Sequence, residues 1–204
     1  MSPAIIVSVI IALVIWIYLL TVLNRADNRA LFYILGSGGL FSFLMILIRP
    51  VLTMPLARVV ALIAGGIGRL TGLFSSYFRY GVIFIATSKG RVSLMIDMEC
   101  SGILEIMAFI SLLMFFRIYS MKERIIVSLT GSVLLILFNA IRVIVISLII
   151  HFFGTGSFFV AHTVVGRLIF YGLSVILYFI VFTKAQIIRQ KVGVFRYGNN
   201  KRNS

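Results

Sequence analysis

Leu134-Leu135-Ile136-Leu137-Phe138-Asn139-Ala140-Ile141-Arg142-Val143-Ile144-Val145-Ile146-Ser147-Leu148-Ile149-Ile150 is an apolar run with a guanidinium inside it. Extended back to Ile125, it is long enough to cross a hydrocarbon core of about 30 Å, which takes roughly 20 helical residues. A cation within such a run is costly, which makes Arg142 a functional candidate by default.

The rest of the chain has the same character. With 61% hydrophobic and 12% charged residues, it belongs among polytopic membrane proteins. Four more stretches read as spans: Pro3 to Leu23, Leu31 to Ile48, Ser101 to Tyr119 and Arg167 to Phe182. The expected fold is therefore an all-α polytopic membrane protein of about five transmembrane helices. No basic residue precedes the first span and no small-x-small site follows it, so it is expected to stay in the mature protein. Gly36, Ser37, Gly38 and Gly39 in the second span read as helix-packing residues. Lys and Arg set the orientation, because short cytoplasmic loops carry their excess. Arg25 and Arg29, then Arg117, Lys122 and Arg124, then the basic tail all fall on one side of five spans. That arrangement places the N-terminus outside and the C-terminus in the cytoplasm. A net charge of +14 without a soluble basic platform points to anionic lipid head groups and away from nucleic acid.

Between the second and third spans lies a segment, 49–100, expected on the outer face. From Val51 to Tyr80 basic residues recur among apolar ones, a pattern of one or two interfacial helices. A crossing there would invert everything upstream. Val82 to Thr87 and Val92 to Ile96, joined by Ser88-Lys89-Gly90-Arg91, read as a small extracytoplasmic β-hairpin. Residues 1–192 form a single membrane-embedded domain with its motif-bearing core at 97–167, and 193–204 form a basic, disordered cytoplasmic tail.

The hairpin delivers the chain to its one cysteine, Cys100. Counted from Ile125, Arg142 lies about 25 Å along its helix at 1.5 Å per residue, close to the outer boundary where the third span begins with Cys100. The segment from His151 to His162 is expected to be an outer loop, so three parts of the sequence converge on one leaflet. A helix N-terminus and a nearby guanidinium favour a thiolate, whereas apolar surroundings oppose it. His162 has the chemistry of a general base to the thiol and then a general acid to a leaving amine. Arg142 has that of an oxyanion stabiliser. Asn139, three residues earlier on the same face, is expected to orient the guanidinium or to donate a second oxyanion bond. His151, nine residues beyond Arg142, should face away on a continuous helix. Asp97, Glu99, Cys100 and His162 have irregular spacing for a zinc site with a single soft ligand, so no metal or other cofactor is expected. Glu105 is a candidate partner for Arg142 or Arg167.

In order along the chain, Glu99-Cys100-Ser101-Gly102-Ile103, then Asn139-Ala140-Ile141-Arg142, then His162 four positions before Gly166 resemble the three signature blocks of the exosortase/archaeosortase family of integral-membrane cysteine transpeptidases. The short length and Glu99 are similar to the small Gram-positive form, exosortase G. The resemblance implies Cys100 as nucleophile, Arg142 as transition-state stabiliser and His162 as proton carrier, with Glu99, Ser101, Gly102, Asn139 and Gly166 in support. It also implies a bacterial plasma-membrane location with the site facing outside. The implied partners are exported proteins carrying a C-terminal motif, one membrane helix and a basic cluster, together with membrane lipids and a lipid or glycan acceptor. The rival expectation is a non-enzymatic scaffold for an envelope polysaccharide or glycoprotein assembly system, in which the thiol is dispensable.

Overall fold

The fold is described by a computed structural model covering residues 3–87, 90–98 and 100–187. The elements are α1 (Pro3–Arg25), α2 (Arg29–Leu47), α3 (Arg49–Thr71), β1 (Phe74–Tyr77), β2 (Val82–Thr87), β3 (Gly90–Met95), α4 (Ile103–Phe115), α5 (Met121–Phe153) and α6 (Gly166–Tyr178). α6 is the middle of a longer helical run, Thr155–Ile187, which contains π-helical stretches at Val160–Val165 and Phe179–Lys184. Five helices are long and apolar enough to cross a membrane, and the chain is a multi-pass, mainly α-helical membrane protein.

The five are not the five read from sequence. Ser101 to Tyr119 yields only the 13-residue α4, because Gly102 at a left-handed φ of 74° starts the helix late and Phe116, in extended backbone, ends it at Phe115, four residues short of Tyr119. Conversely α3, in the segment expected to lie in the interface, is one unbroken 23-residue helix that meets the length and composition of a span. Pro50 sits in its first turn, where a missing N–H costs nothing. The sheet is antiparallel with three strands in the order β1-β2-β3. The expected hairpin is its β2-β3 half, with the link Ser88-Lys89 outside the described residues, and β1 is an addition.

One end of the bundle, the basic end, carries Arg25, Arg29, Arg117, Lys122, Arg124 and Lys184, while Arg49, Arg58, Arg69, Arg79 and Arg91 lie on α3 and the segment of the sheet. Arg117 Nη2 donates to Asn24 Oδ1 at 2.8 Å and its guanidinium lies 4.9 Å from the Phe32 ring, tying the α1–α2 turn to the α4–α5 turn. Ser120 and Glu123 form a capping box at the start of α5. Arg124 donates to Met114 O at 2.6 Å and Tyr119 O at 3.0 Å, satisfying carbonyls left open where α4 ends. Tyr119 Oη donates to Val181 O at 2.7 Å, which brings the far end of the last helix to the same level. Two glycines of α2 act as packing residues, Gly36 lying against Phe115 and Gly39 against the Trp16 indole, whereas Gly38, also expected to pack, faces open space because it points away from both neighbouring helices.

Two cores stack along α5. Near the basic end, Leu135 packs with Ile106, Phe109 and Leu113 of α4 and with Phe170 and Leu177 of α6. Towards the other end, Val143, Ile146 and Ile150 pack with Ala57, Val60 and Ala64 of α3 and with Phe74, Ile83 and Ile85 of the sheet. α3 is thus partnered by the sheet and by the C-terminal half of α5. The 33 residues of α5 run about 50 Å at 1.5 Å per residue, more than one bilayer core, and this single helix joins both layers.

Candidate active site

The seam between the two cores holds the polar residues. Cys100 sits in a turn that the sequence builds with short side chains. Its N–H donates to Asp97 Oδ1 at 3.1 Å, and Ser101 Oγ donates to Met98 O at 2.9 Å. Both are local bonds of the kind Asp and Ser form where a helix has not yet begun. Gly102 then makes the left-handed step that launches α4, with its Cα beside the Asn139 side chain. Any other residue there would be strained by its positive φ.

Asn139 faces this turn from α5. Its Nδ2 donates to Cys100 O, with Asn139 fully buried and Cys100 1% exposed. The amide therefore grips the backbone of the cysteine. This contact was not among the roles expected of Asn139, which were to orient the guanidinium or to donate a second oxyanion bond. Burial of a carbonyl without a partner costs roughly 1–3 kcal/mol, so the contact anchors the turn to α5.

Cys100 Sγ lies 3.0 Å from His162 Nε2, across 62 positions of sequence. His162 is not in an outer loop, as its position before Arg167 suggested. It is carried by the π-helical stretch Val160–Val165 of the last helix. Such bulges reorient one turn of side chains and recur at functional sites. The imidazole stacks on Phe158 with ring planes 3° apart. Gly166, one turn on, lets the last helix close on α5: a Cβ there would lie 2.7 Å from Ile146 Cδ1 and 3.1 Å from Ala161 O.

Arg142, 4% exposed, lies one turn from Asn139 and 5.9 Å from the Phe170 ring. It lines a polar pocket of about 290 Å³ with Met98, Glu105, Arg167 and Tyr171. Met98 belongs to the cysteine turn, so the guanidinium pocket adjoins that turn. Glu105 Oε2 is buried with no hydrogen-bond partner among the described residues, and the carboxylate interacts electrostatically with Arg142. Glu105 and Tyr171 also line a second, apolar groove of about 780 Å³ with Leu112, Ser174, Phe179 and Phe182. The polar pocket at the seam and the apolar trough therefore share Glu105 and Tyr171 as a common wall.

His151 lies elsewhere, its Nδ1 2.6 Å from Ala86 O of β2. Helical phase separated the two histidines correctly. Glu99 lies outside the described residues. Among those described, no group of three or more His, Cys, Asp or Glu is placed to hold a metal ion. Two features escaped the sequence reading. Asp97 holds the amide of the nucleophile candidate, and its position three residues before Cys100 in a turn was the available signal. The π stretch leaves no compositional mark.

No curated protein and no solved structure matches the chain. A sequence profile of the transmembrane exosortases matches residues 2–180, which include every described residue of the seam. The chain therefore belongs to the transmembrane exosortase family, whose general role is that of membrane-embedded sorting transpeptidases.

Proposed function

We propose that this protein is a cysteine protease-transpeptidase that cleaves a C-terminal sorting signal of exported proteins at the outer interface of the bacterial plasma membrane. The 3.0 Å approach of Cys100 Sγ to His162 Nε2 carries the reading. With the ring proton on Nδ1, Nε2 takes the thiol proton as sulfur attacks the scissile carbonyl carbon. The carbonyl oxygen gains negative charge, and Arg142 stabilises it in a water-poor pocket where a fixed donor is worth several kcal/mol. As the C–N bond breaks, the imidazolium returns the proton to the leaving amine, and a thioester remains on Cys100. An incoming amine, hydroxyl or water gives a proton to His162, attacks the thioester and releases the thiol. Covalent catalysis divides one difficult exchange into two easier ones.

The substrate's membrane helix would lie in the apolar trough, with its scissile bond at the polar pocket. The basic end of the bundle is the cytoplasmic one by the positive-inside rule. The N-terminus and the site then face outside, and the tail 193–204 lies inside, beyond one domain at 1–192. A Cys introduced at Leu70, 85% exposed near the end of α3, tests this topology in a Cys100→Ala background. A membrane-impermeant maleimide added to intact cells should label it, and protection from that reagent would overturn the orientation. For the chemistry, a tagged substrate should accumulate uncleaved in the Cys100→Ala variant, and an acyl adduct on Cys100 should be trapped by mass spectrometry. Unimpaired cleavage without the thiol would establish the scaffold alternative.

A further inference from the structure

A second cationic cavity lies away from the thiol, at the end of α3 beside β1, β2 and β3. It has a volume of about 570 Å³ and is lined by Arg69, Leu73, Ser75, Phe84, Ala86 and Arg91 among others. None of Cys100, Arg142 or His162 contributes to it.

The local structure brings the two arginines to one hollow. Ser75 pairs with Phe84 and Ala86 with Arg91 in the sheet register, and alternation puts Phe84 and Ala86 on the same face. Ile83 and Ile85 point the other way into the core. Gly68 allows the last turn of α3 to lie directly on Phe74, and Gly72, at a φ of 72°, ends the helix there. Arg69 in that last turn and Arg91 of β3 therefore line one hollow, Arg69 from the end of α3 and Arg91 from the sheet face opposite the core.

Charge and surroundings define the ligand. Among the described residues neither guanidinium has a hydrogen bond or ion pair, and no Asp or Glu lines the cavity. Two neighbouring cations without a counter-charge call for an anion, and guanidinium geometry suits phosphate oxygens. Phe84 in the lining is 44% exposed, and Ile67 and Leu70, sequence neighbours of Arg69 on α3, are 40% and 85% exposed. An anion with a greasy body satisfies both features, whereas a small free anion would leave these apolar side chains uncovered.

We propose that this cavity binds the phosphate headgroup of an anionic bilayer lipid. Arg69 and Arg91 hold the phosphate, and the apolar portion rests on Phe84 and the exposed face of α3. The site is independent of the cysteine chemistry, and it fastens the sheet and α3 to the headgroup layer.

The test uses the full chain in nanodiscs containing photoactivatable phosphatidylglycerol or photoactivatable phosphatidylcholine, with crosslinks mapped by mass spectrometry. The anionic probe should label the segments 73–75 and 84–86, and the zwitterionic probe should not. In Arg69→Gln/Arg91→Gln that labelling should fall about thirty-fold, the loss expected for two basic residues opposite an anionic headgroup. Alkylation of Cys100 should stay at its original rate, showing the fold intact. Equal labelling by both lipids, labelling that survives the double substitution, or complete competition by inorganic phosphate would each overturn the proposal.

Discussion

Asn139→Ala separates positioning from chemistry at the seam. The substitution removes the donor to Cys100 O and leaves that carbonyl buried and unpaired, a loss of about 1–3 kcal/mol. The cost falls on the contact that fastens the cysteine turn to α5. Opening of that turn should rise by the corresponding factor, about 5- to 150-fold at 1.4 kcal/mol per decade. Cys100 is 1% exposed, so alkylation of its sulfur reports such opening, and the chain holds no other cysteine to confuse the readout. Alkylation by a small maleimide in detergent should therefore accelerate. Substrate cleavage should move the other way, falling by roughly a hundredfold, because misplacing a reacting group by about 1 Å has that effect. Opposite signs in the two assays mark a positioning residue. A variant in which both rates stay at their original values would refute the assignment, and one in which both fall together would make Asn139 part of thiol activation instead.

Gly166→Ala should impair cleavage by overpacking against Ile146, at about 1–3 kcal/mol. Adding Ile146→Val, which removes the Cδ1 atom 2.7 Å from the new Cβ, should restore part of the activity, measured as processed substrate in membranes. His162→Ala should abolish cleavage and slow alkylation of Cys100 near neutral pH, with the two rates converging at high pH where the thiol ionises unaided. His151→Ala should cost roughly 1 kcal/mol of stability through its lost bond to Ala86 O and leave cleavage within a few-fold of the original, as read by thermal unfolding and processing side by side. Gly102→Ala should lower stability by about 1–2 kcal/mol, the usual penalty for a left-handed residue with a Cβ.

Much of the site was legible because helical phase and depth are arithmetic. Asn139 and Arg142 share a face by their spacing, and His151 falls off it, as its bond to β2 bears out. The approach of His162 to Cys100 was an expectation of chemistry rather than of geometry, and the helix carrying it begins well before Arg167. Hydropathy missed that start because Gly154 and Gly156 punctuate the segment, and the π stretch that presents the imidazole arises from packing. The exchange of α3 for α4 among the long helices has a similar origin. Apolar composition measures how much of a helix avoids water, and both a lipid-facing helix and one packed on a sheet satisfy it. Basic residues at Arg58 and Arg69 distinguish the two only weakly, and Arg58 spends its charge on a carbonyl, Arg79 O, at 3.1 Å.

Depth reconciles the short α4 with the rest. From Met121 to Asn139 α5 rises about 27 Å at 1.5 Å per residue, close to the thickness of a hydrocarbon core. The turn 97–102 above α4 and the link between Phe116 and Ser120 below it make up the difference between 13 helical residues and that span. The seam then lies about one core thickness from the start of α5. The remaining part of α5, from Ala140 to Phe153, adds about 20 Å past the seam, and this is the part that α3 and the sheet surround. α3 and the sheet thus wall one half of α5 as α4 and α6 wall the other, and together they bury Cys100, Asn139 and Arg142 at the seam. A single continuous helix joins the two cores, so the turn that carries Cys100 and the pocket of Arg142 are held by the same rigid element.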